Sequence, residues 1–227
     1  MRSAACNSLQ LGIILLFLLP LPAMAIPAIT CHCFTDRIYD AARPAAADPY
    51  LLATTQNSFF AAVFNTDKRT IVIKKQQGTS SDDLWIAYWV ASKAGVSPDT
   101  LLEARSKHGS WKDVLTAGRI TPKVLGTRFS RALNAKSSSA RLAETVVDEV
   151  FLQYRILPDA EVTAVRKESA SNQELIVAVV IAARTRLSAR ELFKEVKSGA
   201  KTWGALLLLA NIDTNNMQQE VSSILKL

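Results

Sequence analysis

Cys31-His32-Cys33 is the one place in this 227-residue chain where soft metal ligands stand side by side. Two thiolates and an imidazole suit Cu(I) or Zn(II). Zinc prefers four ligands at wider spacing, however, and the only other histidine is His108. The competing chemistry is oxidation: Cys31 and Cys33 either close a strained bridge within the chain or link two chains as a homodimer. Haem attachment is excluded, because it requires Cys-x-x-Cys-His.

A second candidate is the carboxylate pair Glu144 and Asp148. At i,i+4 they share one helix face, a spacing that acid/base hydrolysis in a cleft would use and that any solvated face also shows. The chain has no Gly-rich loop carrying the lysine and hydroxyl of a phosphate cradle; its glycines stand at helix ends. Trp85 and Trp89 lie one turn apart in an apolar run from Leu84 to Ala91, so packing accounts for them better than stacking on a ligand. Trp111 and Trp203 each stand where a new helix begins, where a large ring fills the gap between helical hairpins. No cofactor is expected.

The elements that would hold these residues begin with a leader. Arg2, an apolar stretch from Leu11 to Leu21 and the small residues of Ala23-Met24-Ala25 predict a signal peptide over 1–25, cleaved to leave Ile26 first. The apolar stretch is too short for a membrane span, and no transmembrane segment is expected in the mature chain. That chain would be exported, to the periplasm or the exterior of a bacterial source. Cys6 leaves with the leader, so two cysteines remain, too few for a disulfide scaffold. With 49% hydrophobic and 21% charged residues, the rest should bury a core.

The net charge of +7 suits an envelope protein or an anionic surface better than nucleic acid, given export. Its cations are loosely grouped at Lys68, Arg69, Lys74 and Lys75, and again at Lys123, Arg128, Arg131, Lys136 and Arg141. A solvated helix face is the simplest account of both groups.

Proline and alanine make 26–50 an irregular arm. Beyond it, helix starts recur. Thr66 precedes a helix ended by Gly78, Ser80 or Ser81 caps the tryptophan-rich run, and Ser97-Pro98-Asp99 opens the next helix. Thr121-Pro122 opens a helix reaching Leu133 or Asn134, and Ser138 or Ser139 caps another ending at Tyr154. The run from Leu175 to Ala183 fits either a buried helix or a strand by its composition, and its alignment favours helix. A shift of 91 residues brings Leu84 over Leu175, Ala87 over Ala178, Ser97 over Ser188 and Leu101 over Leu192; one residue more brings Trp111 over Trp203. With further offsets of 31 and 60, this predicts repeated two-helix units that stack to bury their apolar faces.

The expected fold is therefore all-α: stacked helical hairpins in two regions, 51–135 and 140–227, packed as one domain behind the arm. The expected function is a non-enzymatic binding or structural role in the envelope. The alternatives are an envelope hydrolase using Glu144 and Asp148, or a metal-binding protein using Cys31, His32 and Cys33.

Overall fold

The computed structural model describes residues 34–225. The leader and the Cys31-His32-Cys33 cluster lie outside the described residues. Within them the fold is all-α, with twelve α-helices and no strand. The first six are α1 (Asp48–Val63), α2 (Lys68–Gln76), α3 (Ser81–Ala94), α4 (Pro98–His108), α5 (Trp111–Ala117) and α6 (Thr127–Asn134). The others are α7 (Ser139–Gln153), α8 (Asp159–Lys167), α9 (Asn172–Ala182), α10 (Ala189–Lys197), α11 (Trp203–Leu209) and α12 (Met217–Leu225). No described helix is long and apolar enough to cross a membrane.

Local chemistry sets most of the boundaries. Ser80, Ser97, Ser110, Ser138, Ser171, Ser188 and Thr202 each accept a backbone N–H from the first turn of the helix that follows. Ser171 and Ser188 form full capping boxes with Glu174 and Glu191. The β-branched run from Leu175 onward is helical, inside α9. It is buried on every side, and tertiary burial outweighs the modest helix cost of valine and isoleucine.

Three boundaries differ from expectation. Asp67, not Thr66, caps α2, accepting the N–H of Arg69 at 2.8 Å. Asp48, Pro49 and Tyr50 belong to α1 rather than to the arm, with the proline in the first turn where its missing N–H costs nothing. The helix expected from Thr121 is split: a 3-10 turn, Pro122–Leu125, stops at Gly126, and α6 begins after it. Gly126 has φ +100°, and a Cβ there would collide with the carboxylate of Glu149 on α7. That carboxylate accepts the Arg128 N–H at 2.8 Å, so α7 caps the start of α6.

The 91-residue offset extends over the whole described helical body. Asp48 and Ser139, Lys68 and Asp159, Ser81 and Asn172, and Pro98 and Ala189 are four pairs of helix starts that distance apart. Trp111 and Trp203 follow at 92, as do the 3-10 turns at Pro122 and Thr214. The described residues thus form two six-helix halves. Consecutive helices pair as hairpins in both, α3 on α4 and α9 on α10. The central helices pair across the halves: α1 packs on α9 and α12, and reciprocally α7 packs on α3 and α6. One continuous core results, in which Phe59 of α1 meets Phe151 of α7 edge-on at 5.6 Å.

Candidate functional site

Three helices, α6 of the first half with α7 and α8 of the second, enclose a polar hollow of about 510 Å³, and helical spacing places its lining. On α6, Phe129, Ala132 and Leu133 are buried, while Arg128 and Arg131 reach the hollow one turn apart. On α7, Leu142, Val146 and Val150 face the core, and the stripe Arg141, Thr145, Asp148 faces the hollow. On α8, Val162 and Val165 are buried, leaving Thr163, Arg166 and Lys167 to close the third side. Ser137 lines the edge, from the link between α6 and α7.

The floor is an ion-pair network. The Asp148 side chain is 4% exposed; it accepts from Arg166 Nε at 3.0 Å and from Arg128 Nη1 at 3.3 Å. Arg166 also donates Nη1 to the Ala170 carbonyl at 3.0 Å and Nη2 to Asn172 Oδ1 at 2.5 Å. Arg128 donates in addition to Asp159 of α8. The network therefore ties α6, α7 and α8 together and reaches the start of α9.

The rim is different. Arg141 pairs with Glu144 at 2.6 Å, but Arg131 and Lys167 are exposed and have no ion-pair or side-chain hydrogen-bond partner among the described residues. Five cationic side chains line the hollow against the single lining acid Asp148.

The related group of α12, α1 and α2 supplies an internal comparison. At the 91-residue offset Asn57 and Lys75 stand for Asp148 and Arg166, and Lys75 donates to Asn57 at 2.6 Å. The buried contact thus recurs in both halves. The rim does not. Tyr50 and Gln76 take the places of Arg141 and Lys167 and Lys68 that of Asp159, while at 92 residues Glu220 and Ser223 of α12 take those of Arg128 and Arg131. α12 packs on α1 as α6 does on α7, without the cationic rim, so that packing alone does not require it.

Of the residues singled out by spacing, Asp148 lies at the floor of this hollow, bound by two arginines. Glu144 borders a separate hollow of about 270 Å³ with Gln56, Ser81, Asp82, Asn172 and Gln173. The i,i+4 pair therefore does not share a cleft; Glu144 instead shares one with Asp82 of α3. Burial, and then the charges of Asp83 and Glu144, push the Asp82 carboxyl above its ordinary value near 3.8.

That shift has a sign that can be checked. The folded chain holds the Asp82 proton more tightly than the unfolded chain, so stability falls as pH rises through the window just above 3.8. Asp82→Asn is expected to be more stable than the parent at pH 7, with the two converging near pH 4. Urea unfolding across that range measures it, and an unchanged pH slope would refute the assignment.

All four tryptophans are buried, at 1% to 4% exposure. Trp89 Nε1 donates to the Leu125 carbonyl at 2.9 Å and Trp111 Nε1 to Asp83 at 2.7 Å, so they pack rather than present a stacking face. Among the described residues no cluster of three or more histidine, cysteine or acidic side chains could hold a metal. Spacing missed Arg166 and Lys167, which complete the hollow from α8, 25 and 26 residues beyond Arg141. The available signal was the stripe of Arg141, Thr145 and Asp148, polar at i, i+4 and i+7 beside an apolar face. No protein-family model, no curated protein and no solved structure matches this chain, which leaves the cationic hollow of α6, α7 and α8 as the guide to its function.

Proposed function

We propose that this is an exported, non-enzymatic binding protein that takes an anionic partner of the cell envelope into the hollow between α6, α7 and α8. The observation that carries the reading is the pair of rim cations, Arg131 and Lys167, left without acidic partners above a floor whose charges are already paired. Cations fixed on a concave wall attract anions at longer range than the same charges scattered over a surface. Export rests on the leader of residues 1–25 and on the small residues before Ile26.

A hydrolytic role is less well supported. Asp148 is engaged by Arg128 and Arg166, and Glu144 by Arg141, so neither carboxylate of the pair is poised to take a proton from a substrate.

Charge reversal tests the binding role. Arg131→Glu with Lys167→Glu in the mature chain should abolish salt-sensitive retention on an anionic matrix bearing carboxylate and phosphate groups, while the circular dichroism spectrum stays that of the parent. Retention equal to that of the parent would overturn the reading. Export is checked separately: the protein recovered outside the cytoplasm should begin at Ile26.

A further inference from the structure

We infer that the hollow is a phosphomonoester site, a proposal that rests on the anion-binding reading above and gives it a ligand class. The argument is one of charge balance. Around the hollow, Arg166 and Arg128 share Asp148, Arg128 also meets Asp159, and Arg141 meets Glu144. Two lining cations remain, Arg131 from α6 and Lys167 from α8. Two unmatched positive charges facing one hollow call for a dianion. A phosphomonoester carries close to two negative charges at neutral pH, with its second proton leaving near pH 6, whereas a single carboxylate or a phosphodiester carries one.

The donor set agrees. Arginine presents planar N–H forks that match phosphate oxygens, lysine adds a point charge, and Ser137 and Thr163 bring hydroxyls to the lining. A volume of about 510 Å³ lies within the range of about 300–1,000 Å³ typical of small-molecule sites, enough for a phosphate with a compact organic group attached. The floor contributes rigidity: Arg166 is anchored by Asp148, Ala170 and Asn172, so the base of the hollow is held before a ligand arrives. At the related position, Ser223 of α12 and Gln76 of α2 stand in place of Arg131 and Lys167, so these two rim cations have no counterpart there.

A phosphomonoester reaches an envelope protein either as a soluble phosphate ester or as a lipid headgroup, and the test has an arm for each. Calorimetric titration of the mature chain uses glycerol 3-phosphate and, as the diester control, dimethyl phosphate. Sedimentation uses vesicles carrying phosphatidic acid, a monoester, or phosphatidylglycerol, a diester. The monoester is expected to bind at least tenfold more tightly than its diester in at least one arm, and that arm identifies the source. Arg131→Gln and Lys167→Gln should each weaken binding about tenfold, as expected for loss of a charge-assisted contact. Lys107→Gln, a surface lysine on α4 paired with Glu103, should leave it unchanged.

Affinity should also fall as pH drops through about 6, where the ligand takes up its second proton. The charged groups around the ligand are Arg128 and Arg131 of α6, Arg141, Glu144 and Asp148 of α7, and Asp159, Arg166 and Lys167 of α8, with no histidine among them. Histidine is the side chain that ordinarily changes charge in that window, so the break reports the ligand. Equal binding of monoester and diester, or affinity unchanged in Arg131→Gln and Lys167→Gln, would overturn the proposal. Binding of oligogalacturonate in place of phosphate esters, lost in the same two variants, would refute the phosphate assignment and leave the anion-binding reading standing.

Discussion

Arg166→Ala is expected to destabilise the protein by about 3–5 kcal/mol, the usual cost of removing one partner from a buried ion pair. Its side chain is 9% exposed and that of Asp148 4%, so the carboxylate left behind loses its main partner in a largely buried position. Arg128 remains, but at 3.3 Å, a quarter exposed and shared with Asp159, it neutralises only part of the charge. The Ala170 carbonyl and Asn172 lose a donor in the same step, loosening the link from α8 to α9. Two comparisons separate the ion pair from general packing. Arg128→Ala leaves the Arg166–Asp148 bond intact and should cost about 1 kcal/mol, as for a partly exposed pair. Asp148→Asn should cost less than Arg166→Ala, because an amide meets a cation at the equivalent place in the first half, where Asn57 accepts from Lys75. Urea denaturation measures all three, and an Arg166→Ala variant within 1 kcal/mol of the parent would mean that water reaches Asp148.

Helix starts were legible because they depend on neighbouring residues. Ser97-Pro98-Asp99 and Ser188 with Glu191 contain the cap, the first turn and its charge within four positions, and the structure uses them in that way. The split at Gly126 was not legible. What breaks the helix there is the Glu149 carboxylate, 23 residues away, which occupies the space a side chain would need. A similar long-range cap joins the first helix to the eleventh: Asp48 of α1 accepts the N–H groups of Trp203 and Gly204, at 3.0 and 2.8 Å, at the start of α11. Burial there outweighs both bonds and raises the Asp48 carboxyl above its ordinary value.

The candidate site divides along the same line. Arg128, Arg131 and Arg141 are close in sequence, so their grouping could be seen, but a grouping of cations looks the same on a solvated face. What makes it a hollow is α8, which brings Arg166 against Asp148 and sets Lys167 across from α6. Contacts between elements decide such a site, and neither charge spacing nor amphipathicity records them. Glu144 and Asp148 do stand at i,i+4 on one helix, α7. Four residues advance the helix by more than a full turn, and that offset, with the neighbours α3 and α8 on either side, sends the two carboxylates to different hollows.

Cutting the chain between the halves, after Lys136, is expected to abolish the cooperative folding of each piece while leaving the two able to reassemble. Each piece has about 100 residues, a length at which many domains fold alone. The pairing of helices works against it here. The main partners of α1 are α9 and α12, and those of α7 are α3 and α6, so each central helix loses its principal neighbours when the other half is removed. The surfaces bared include Phe59 and Phe151, at 1% and 0% exposure in the intact chain, and α3 and α9, which are apolar on nearly every side. Burying an aromatic or large aliphatic side chain contributes about 1.5–3 kcal/mol. Losing several exceeds the whole stability of a domain, about 5–15 kcal/mol. Either half alone should therefore show a broad, non-cooperative melt and bind a hydrophobic dye, and mixing the two should restore a sharp transition and a 1:1 complex by light scattering. Because the halves share one plan, a single half could also pair with its own copy through the same reciprocal contacts, and a two-fold dimer of one fragment would agree with the packing. A half that remains monomeric and melts as sharply as the intact protein would show that the cross-half contacts do not hold the fold together.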